Sequence, residues 1–299
     1  MSQVSDKKAP PARGAAEAAL ALLYVFLWAS AFVPSRVVAM LGQPLWVLAV
    51  RFIIAAAIQL AITLLLARPW PRSRASWASL SMYGLLANAG YLGLTYEALR
   101  HLSAGMGAII ASTNPLVLAL VAPALLGEAL TARKLLGLVF GFSGVLIAMA
   151  SRAGTQSARP QDVALSFAGV LAMVASTVVF KRLRIQEDLV SANAIQLGAS
   201  AVVLVPVALS VEGAPHLPLT FSLVASLAYL VLLLSIGGTF LWFWLLRHGE
   251  ASRVSAFYFL TPIFGLGLGA LLLHERVTWT DGLGLIAVAL GITLVQSRT

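Results

Sequence analysis

Apolar and polar stretches alternate along the chain so as to mark ten apolar segments, at 19–39, 45–66, 78–97, 104–125, 135–151, 163–181, 190–211, 222–246, 254–273 and 282–297. A run of about 20 apolar residues reaches across a hydrocarbon core of roughly 30 Å. Each segment is predicted to be helical, because lipid cannot satisfy the open edge of a strand. The polar connections are short, so consecutive helices are expected to be antiparallel neighbours. No connection is long enough to hold a soluble domain.

The polar punctuation repeats. Leu99-Arg100-His101 returns 147 residues later as Leu246-Arg247-His248, and the same shift carries Pro115 onto Pro262, Glu128 onto Glu275, Thr131 onto Thr278, Gly137 onto Gly284 and Gly144 onto Gly291. Upstream, at a shift of 146, Trp28-Ala29-Ser30 through Ser35-Arg36 lies over Val174-Ala175-Ser176 through Lys181-Arg182. A first repeat over 19–151 and a second over 163–297 follow, each with five segments. Residues 1–18, rich in Ala, Pro and charge and without an apolar core before a cleavage site, are expected to form a disordered cytoplasmic tail and not a signal peptide.

Charge sets the orientation. With the N-terminus in the cytoplasm, Lys7, Lys8, Arg13, Arg68, Arg72, Arg74, Arg133, Lys134, Lys181, Arg182, Arg184, Arg247, Arg253 and Arg298 fall inside, against Arg36, Arg100, Arg152, Arg159 and Arg276 outside. Cytoplasmic loops carry such an excess of Lys and Arg. Both chain ends are therefore expected inside. Five crossings per repeat is an odd number, so the second repeat enters the membrane upside down. The predicted fold is all-α and integral to the membrane: ten transmembrane helices as two inverted five-helix repeats, an architecture of secondary transporters.

Composition agrees. Hydrophobic residues make up 60% of the chain and charged ones 10%, with a mean hydropathy of +0.92, whereas soluble domains carry roughly 25% charged residues. The net charge of +9 is spread singly or in threes between apolar runs, the pattern of topology signals and not of a nucleic-acid patch. The chain has no cysteine, which excludes disulfides and thiol chemistry.

The duplicated pattern resembles the EamA-like branch of the drug/metabolite transporter superfamily. It runs Ala-Leu-Arg-His or Leu-Leu-Arg-His, a small-residue helix with Pro115 or Pro262, then Glu128 or Glu275 and a glycine-rich final helix. Within that branch the chain most resembles bacterial amino-acid exporters, including those for aromatic amino acids. The resemblance implies a bacterial inner-membrane location and efflux of small metabolites.

A membrane-embedded site needs polar groups near the midplane. The span centres offer Trp28, Asn88, Asn114-Pro115, Ser176-Thr177, Ser235, Thr239 and Thr261-Pro262. Asn88 maps onto Ser235, and Asn114 onto Thr261. An amide both donates and accepts, which suits a zwitterion without burying a permanent charge. Asn88, Asn114 and Thr239 are the expected polar end of a cavity bounded by the first, third, fourth, sixth, eighth and ninth segments. Trp28, Tyr91, Trp242 and Tyr258 are its expected apolar walls. Tyr83 and Tyr96 lie nearer the span ends and carry less weight.

Pro115 and Pro262 each remove a backbone donor and are expected hinges. Arg51 and Glu97 fall within spans toward the outer side and are expected to pair as an outer gate, with snorkelling of Arg51 to the headgroups as the alternative. Glu128 and Glu275 are expected to orient loops. The glycines of the final segment in each repeat read as scaffold packing or as the face of a homodimer.

No Walker loop, nucleotide fingerprint or His-Glu-x-x-His pair occurs, so neither a cofactor nor a metal is expected, nor an enzyme. Transport driven by ATP hydrolysis in this chain is excluded. The reading is export of small amphipathic metabolites, amino acids first, by alternating access. Efflux of drug-like or nucleotide-derived solutes is the alternative, and from another class a channel or a non-transporting membrane protein.

Overall fold

A computed structural model of the chain describes residues 11–127, 130–150, 159–183, 187–241, 245 and 260–296. Among these the regular structure is entirely helical. The first half contains α1 (Pro11–Ser30), α2 (Phe32–Ala39), α3 (Pro44–Leu65), α4 (Arg74–Gly84), α5 (Tyr91–Ala98), α6 (Ala104–Ala111), α7 (Asn114–Leu126) and α8 (Ala132–Ala150). The second contains α9 (Pro160–Leu183), α10 (Leu189–Glu212), α11 (Phe221–Tyr229), α12 (Thr261–Leu273) and α13 (Trp279–Gln296). Among the described residues, six stretches are long and apolar enough to cross a membrane: Ala19–Ala39, Pro44–Leu65, Ala104–Leu126, Pro160–Arg182, Leu189–Glu212 and Phe221–Leu241. The helix α1 starts at Pro11, so residues 11–18, expected in the tail, are helical. Their Ala-rich run has high helix propensity.

The repeat is visible in the caps. The helices α4 and α11 start 147 residues apart, and each is capped by a hydroxyl. Ser73 Oγ accepts the Ser76 N–H at 3.0 Å, and Thr220 Oγ1 accepts the Leu223 N–H at 3.2 Å. The helices α7 and α12 match residue for residue and end in left-handed residues, Gly127 at φ 69° and His274 at φ 52°. Before α8 and α13, Thr131 and Thr278 accept the N–H groups of Lys134 and Asp281, both at 3.3 Å.

Equivalent helices pair antiparallel. A Cβ at Gly137 would stand 2.7 Å from the Gly291 carbonyl oxygen, and one at Gly144 would stand 2.5 Å from that of Gly284. Because Gly137 is the counterpart of Gly284, and Gly144 of Gly291, these two contacts exchange under one two-fold operation. Their opposite order along the two helices makes α8 and α13 antiparallel. Of the glycines expected to serve scaffold packing or a homodimer face, Gly137, Gly144, Gly284 and Gly291 meet one another within the chain, where small residues let backbones approach.

The other equivalent pair, α3 and α10, behaves alike. Near one end Glu212 accepts the N–H groups of Leu45 and Trp46, both at 2.9 Å. Near the other, Gln59 Nε2 donates to the Val190 carbonyl at 3.2 Å. Two main apolar clusters result. One surrounds α6 with Leu99, Leu102, Met106 and Ile109, and one lies between α3 and α10 with Leu48, Phe52 and Tyr96.

Candidate functional site

Proline breaks the first of these rods beside its most polar stretch. Pro34 has no N–H to give the Ser30 carbonyl, and the helix is interrupted at Ala31 between α1 and α2. Pro115 does the same between α6 and α7. There the Ser112 and Thr113 hydroxyls turn back onto the carbonyls of Ile109 and Ile110 at 2.7 and 2.6 Å. Pro262 also stands at the second position of its helix, α12.

Two further irregularities occupy equivalent positions. The helix α4 passes into α5 through a π-helix over Leu85–Gly90, and α11 continues into one over Leu230–Gly238. Wider turns of this kind re-aim side chains and are frequent at functional sites. Asn88 lies in the first and Ser235 in the second.

Both π-helices border a cavity of about 130 Å³, roomy beside the about 10–15 Å³ that one water takes on the same measure. Its wall comes from α1, α2, α3, α4, α5, α9, α10 and the two π-helices. Of the predicted residues, Trp28, Asn88, Tyr91, Thr239 and Arg51 line it. Asn114, Pro115, Glu97 and Pro262 are not among the lining residues. Trp242 and Tyr258 lie outside the described residues, as does Glu128. Within the described lining, the second and seventh segments stand where the fourth and ninth were expected.

One side of the cavity is aromatic. The Trp28 and Tyr91 rings stack with centroids 6.0 Å apart and 8° between planes, and Tyr24 continues the stack at 6.4 Å from Trp28. Ser30 holds the end of α1 through its hydroxyl contact with Tyr229 OH at 2.5 Å.

Another part of the lining carries amides and hydroxyls. Asn88 Nδ2 donates to Ser200 Oγ at 3.3 Å, Gln196 Nε2 to Asn193 Oδ1 at 2.6 Å, and Asn193 Nδ2 to the Ser235 carbonyl at 3.1 Å. Gly84 permits this wall, since any Cβ there would stand 2.8 Å from Gln196 Cα. No Asp or Glu occurs in the described lining.

The expected Arg51–Glu97 pair is absent in this conformation. Arg51 is buried and donates from Nε to Ser235 Oγ at 3.1 Å and from Nη1 to Tyr96 OH at 2.9 Å. Glu97 pairs instead with Arg100 at 2.8 Å. Burial of Arg51 also removes the snorkelling alternative. Asn193, Gln196 and Tyr96 are the lining residues that sequence reasoning undervalued; Tyr83, also discounted, lines the cavity as well. Glu275, expected to orient a loop, accepts the Ala104 and Gly105 N–H groups at 2.6 and 3.1 Å and so caps α6 of the other repeat.

The chain matches the EamA-like transporter family twice, over residues 16–150 and 162–297. The uncharacterized transporter YoaV of Bacillus subtilis is 30% identical over 214 residues, covering 70% of this chain and 72% of that protein. The Escherichia coli protein named "Probable amino-acid metabolite efflux pump" is 24% identical over 282 residues, 91% of this chain and 92% of that one. The uncharacterized transporter sll0355 of Synechocystis is 25% identical over 288 residues, 91% and 87% of the two. A solved crystal structure superposes with a TM-score of 0.66 at 16% identity, covering 94% of this chain and 96% of that one. Two family domains in tandem, an all-helical apolar fold and a lined central cavity agree: this multi-pass membrane protein belongs to the EamA-like transporter family.

Proposed function

We propose that the chain exports small amphipathic metabolites, foremost amino acids with apolar or aromatic side chains, by alternating access through the central cavity. The observation that carries this reading is the cavity's mixed lining, in which a Tyr24–Trp28–Tyr91 stack accompanies the amides and hydroxyls of Asn88, Asn193, Gln196, Ser235 and Thr239. Stacked rings accept an apolar side chain, and Asn88 and Thr239 offer hydrogen bonds to its polar end. The likeness to a protein named an amino-acid metabolite efflux pump supports the substrate class.

In this reading the chain crosses a bacterial inner membrane ten times, as repeats over 19–151 and 163–297 that face opposite ways. Both ends lie in the cytoplasm. The antiparallel pairing of α8 with α13 and of α3 with α10 supports the inversion, since equivalent helices of parallel repeats run the same way. Pro115 and Pro262, each opening a new helix, serve as hinges. Trp242 and Tyr258 belong to the substrate site, Asn114 joins it in another stage of the cycle, and Arg51 and Glu97 act as gate residues there.

The test is counterflow of labelled amino acids in proteoliposomes, with and without imposed pH and sodium gradients. Saturable exchange of apolar and aromatic amino acids is expected. Flat traces for every amino acid, with active protein shown by another solute, overturn the assignment.

A further inference from the structure

Arg51 is the one formal charge among the described lining residues of the cavity. Its side chain sits in α3, a stretch long and apolar enough to cross a membrane, with 6% of its surface exposed. A buried charge inside a membrane protein is costly unless it is paired, and marks a functional position by default. Its two hydrogen-bond partners, Ser235 Oγ and Tyr96 OH, are neutral. They occupy Nε and Nη1. The guanidinium carries five N–H donors, and Nη2 has no partner among the described residues.

The same lining also holds amide acceptors. Asn88 and Gln196 each donate their amide nitrogen to the protein, while their amide oxygens receive no donor from the described residues. The cavity therefore presents a fixed cation and two open carbonyl acceptors, with an aromatic wall alongside.

We propose that Arg51 anchors a carboxylate of the substrate, so that the cavity selects carboxylate-bearing metabolites over their neutral or cationic counterparts. Tyr96 and Ser235 are positioning residues that fix the guanidinium, and the open Nη2 meets the incoming oxygen. Arg binds carboxylates through its planar fork, which a Lys ammonium does not reproduce. An ammonium on the same substrate would face the Asn88 and Gln196 oxygens. The inference rests on the cavity being the substrate site of the transport reading, and extends it by naming the group recognised.

The test is ligand-induced thermal stabilisation of the detergent-purified full chain, using 3-phenylpropionate, 3-phenylpropionamide, L-phenylalanine, L-phenylalaninamide and phenyl phosphate. The expected result is at least tenfold tighter apparent binding of each acid that binds than of its amide. Arg51→Gln should reduce that ratio to near one. Arg51→Lys should recover part of it, and Tyr96→Phe should lower acid affinity a few-fold while leaving amide affinity unchanged.

Equal binding of acid and amide by the unaltered chain overturns the proposal without relying on any variant's folding. Preservation of the acid preference in Arg51→Gln, preference for phenyl phosphate, or no response to either acid also overturns it. Binding of 3-phenylpropionate but not L-phenylalanine, lost in Arg51→Gln, supports the anchor while removing the amino-acid assignment.

Discussion

At the scale of single residues, the stack of Trp28 on Tyr91 makes a specific demand. A ring sandwiched against such a wall gains about 0.5–1.5 kcal/mol beyond its buried area. Trp28→Ala should therefore raise the half-saturating concentration for L-phenylalanine counterflow roughly 2- to 13-fold. Exchange of L-alanine, which has no ring to stack, should change little. The Glu275 caps on Ala104 and Gly105 make another demand. Replacing the carboxylate by Gln weakens charge-assisted bonds to a helix N-terminus and should cost about 1–2 kcal/mol in equilibrium unfolding. Site residues were only partly legible in the sequence. Depth along a span finds Arg51, but Tyr96 and Glu97 are neighbours separated by about 100° around a helix, and only tertiary packing decides which one Arg51 meets. Asn193 and Gln196 escaped because attention to duplicated polar positions favours pairs. Their counterparts, Trp46 and Ala49, are not polar amides.

At the scale of elements, the repeat register was the most legible feature, because caps and terminators are set by local chemistry. Ser73 and Thr220, or Gly127 and His274, do the same work 147 residues apart without needing to be identical. The π-helices were not legible. A widened turn of Leu, Ala and Gly keeps the hydrophobic character of the span around it, so no periodicity announces it. If Pro115 and Pro262 act as hinges, the double substitution to Ala restores two backbone donors and should slow counterflow several-fold with binding intact. Unchanged rates would discard the hinges. The glycine seam gives a sharper expectation. Gly144→Val forces side-chain atoms into the space held by the Gly284 backbone and should destabilise the fold by about 1–3 kcal/mol, read as a lower melting temperature in detergent.

At the scale of the whole molecule, the proposed inversion and ten crossings place both ends of the chain on one side of the membrane. The absence of cysteine lets this be checked without clearing a background. Single cysteines introduced near residues 3 and 298 should both react with a membrane-impermeant maleimide only from the cytoplasmic face. Reaction from opposite faces would rule out the even number of crossings. The seam between α8 and α13 has one more consequence. Where main chains touch with no side chain interposed, separating or tilting the two helices would open a void along the seam, so the pair is expected to stay together as an axle about which the other rods swing. Spin labels at the exposed positions Leu146 and Ile286 should then report one invariant separation, whichever way the substrate chamber opens.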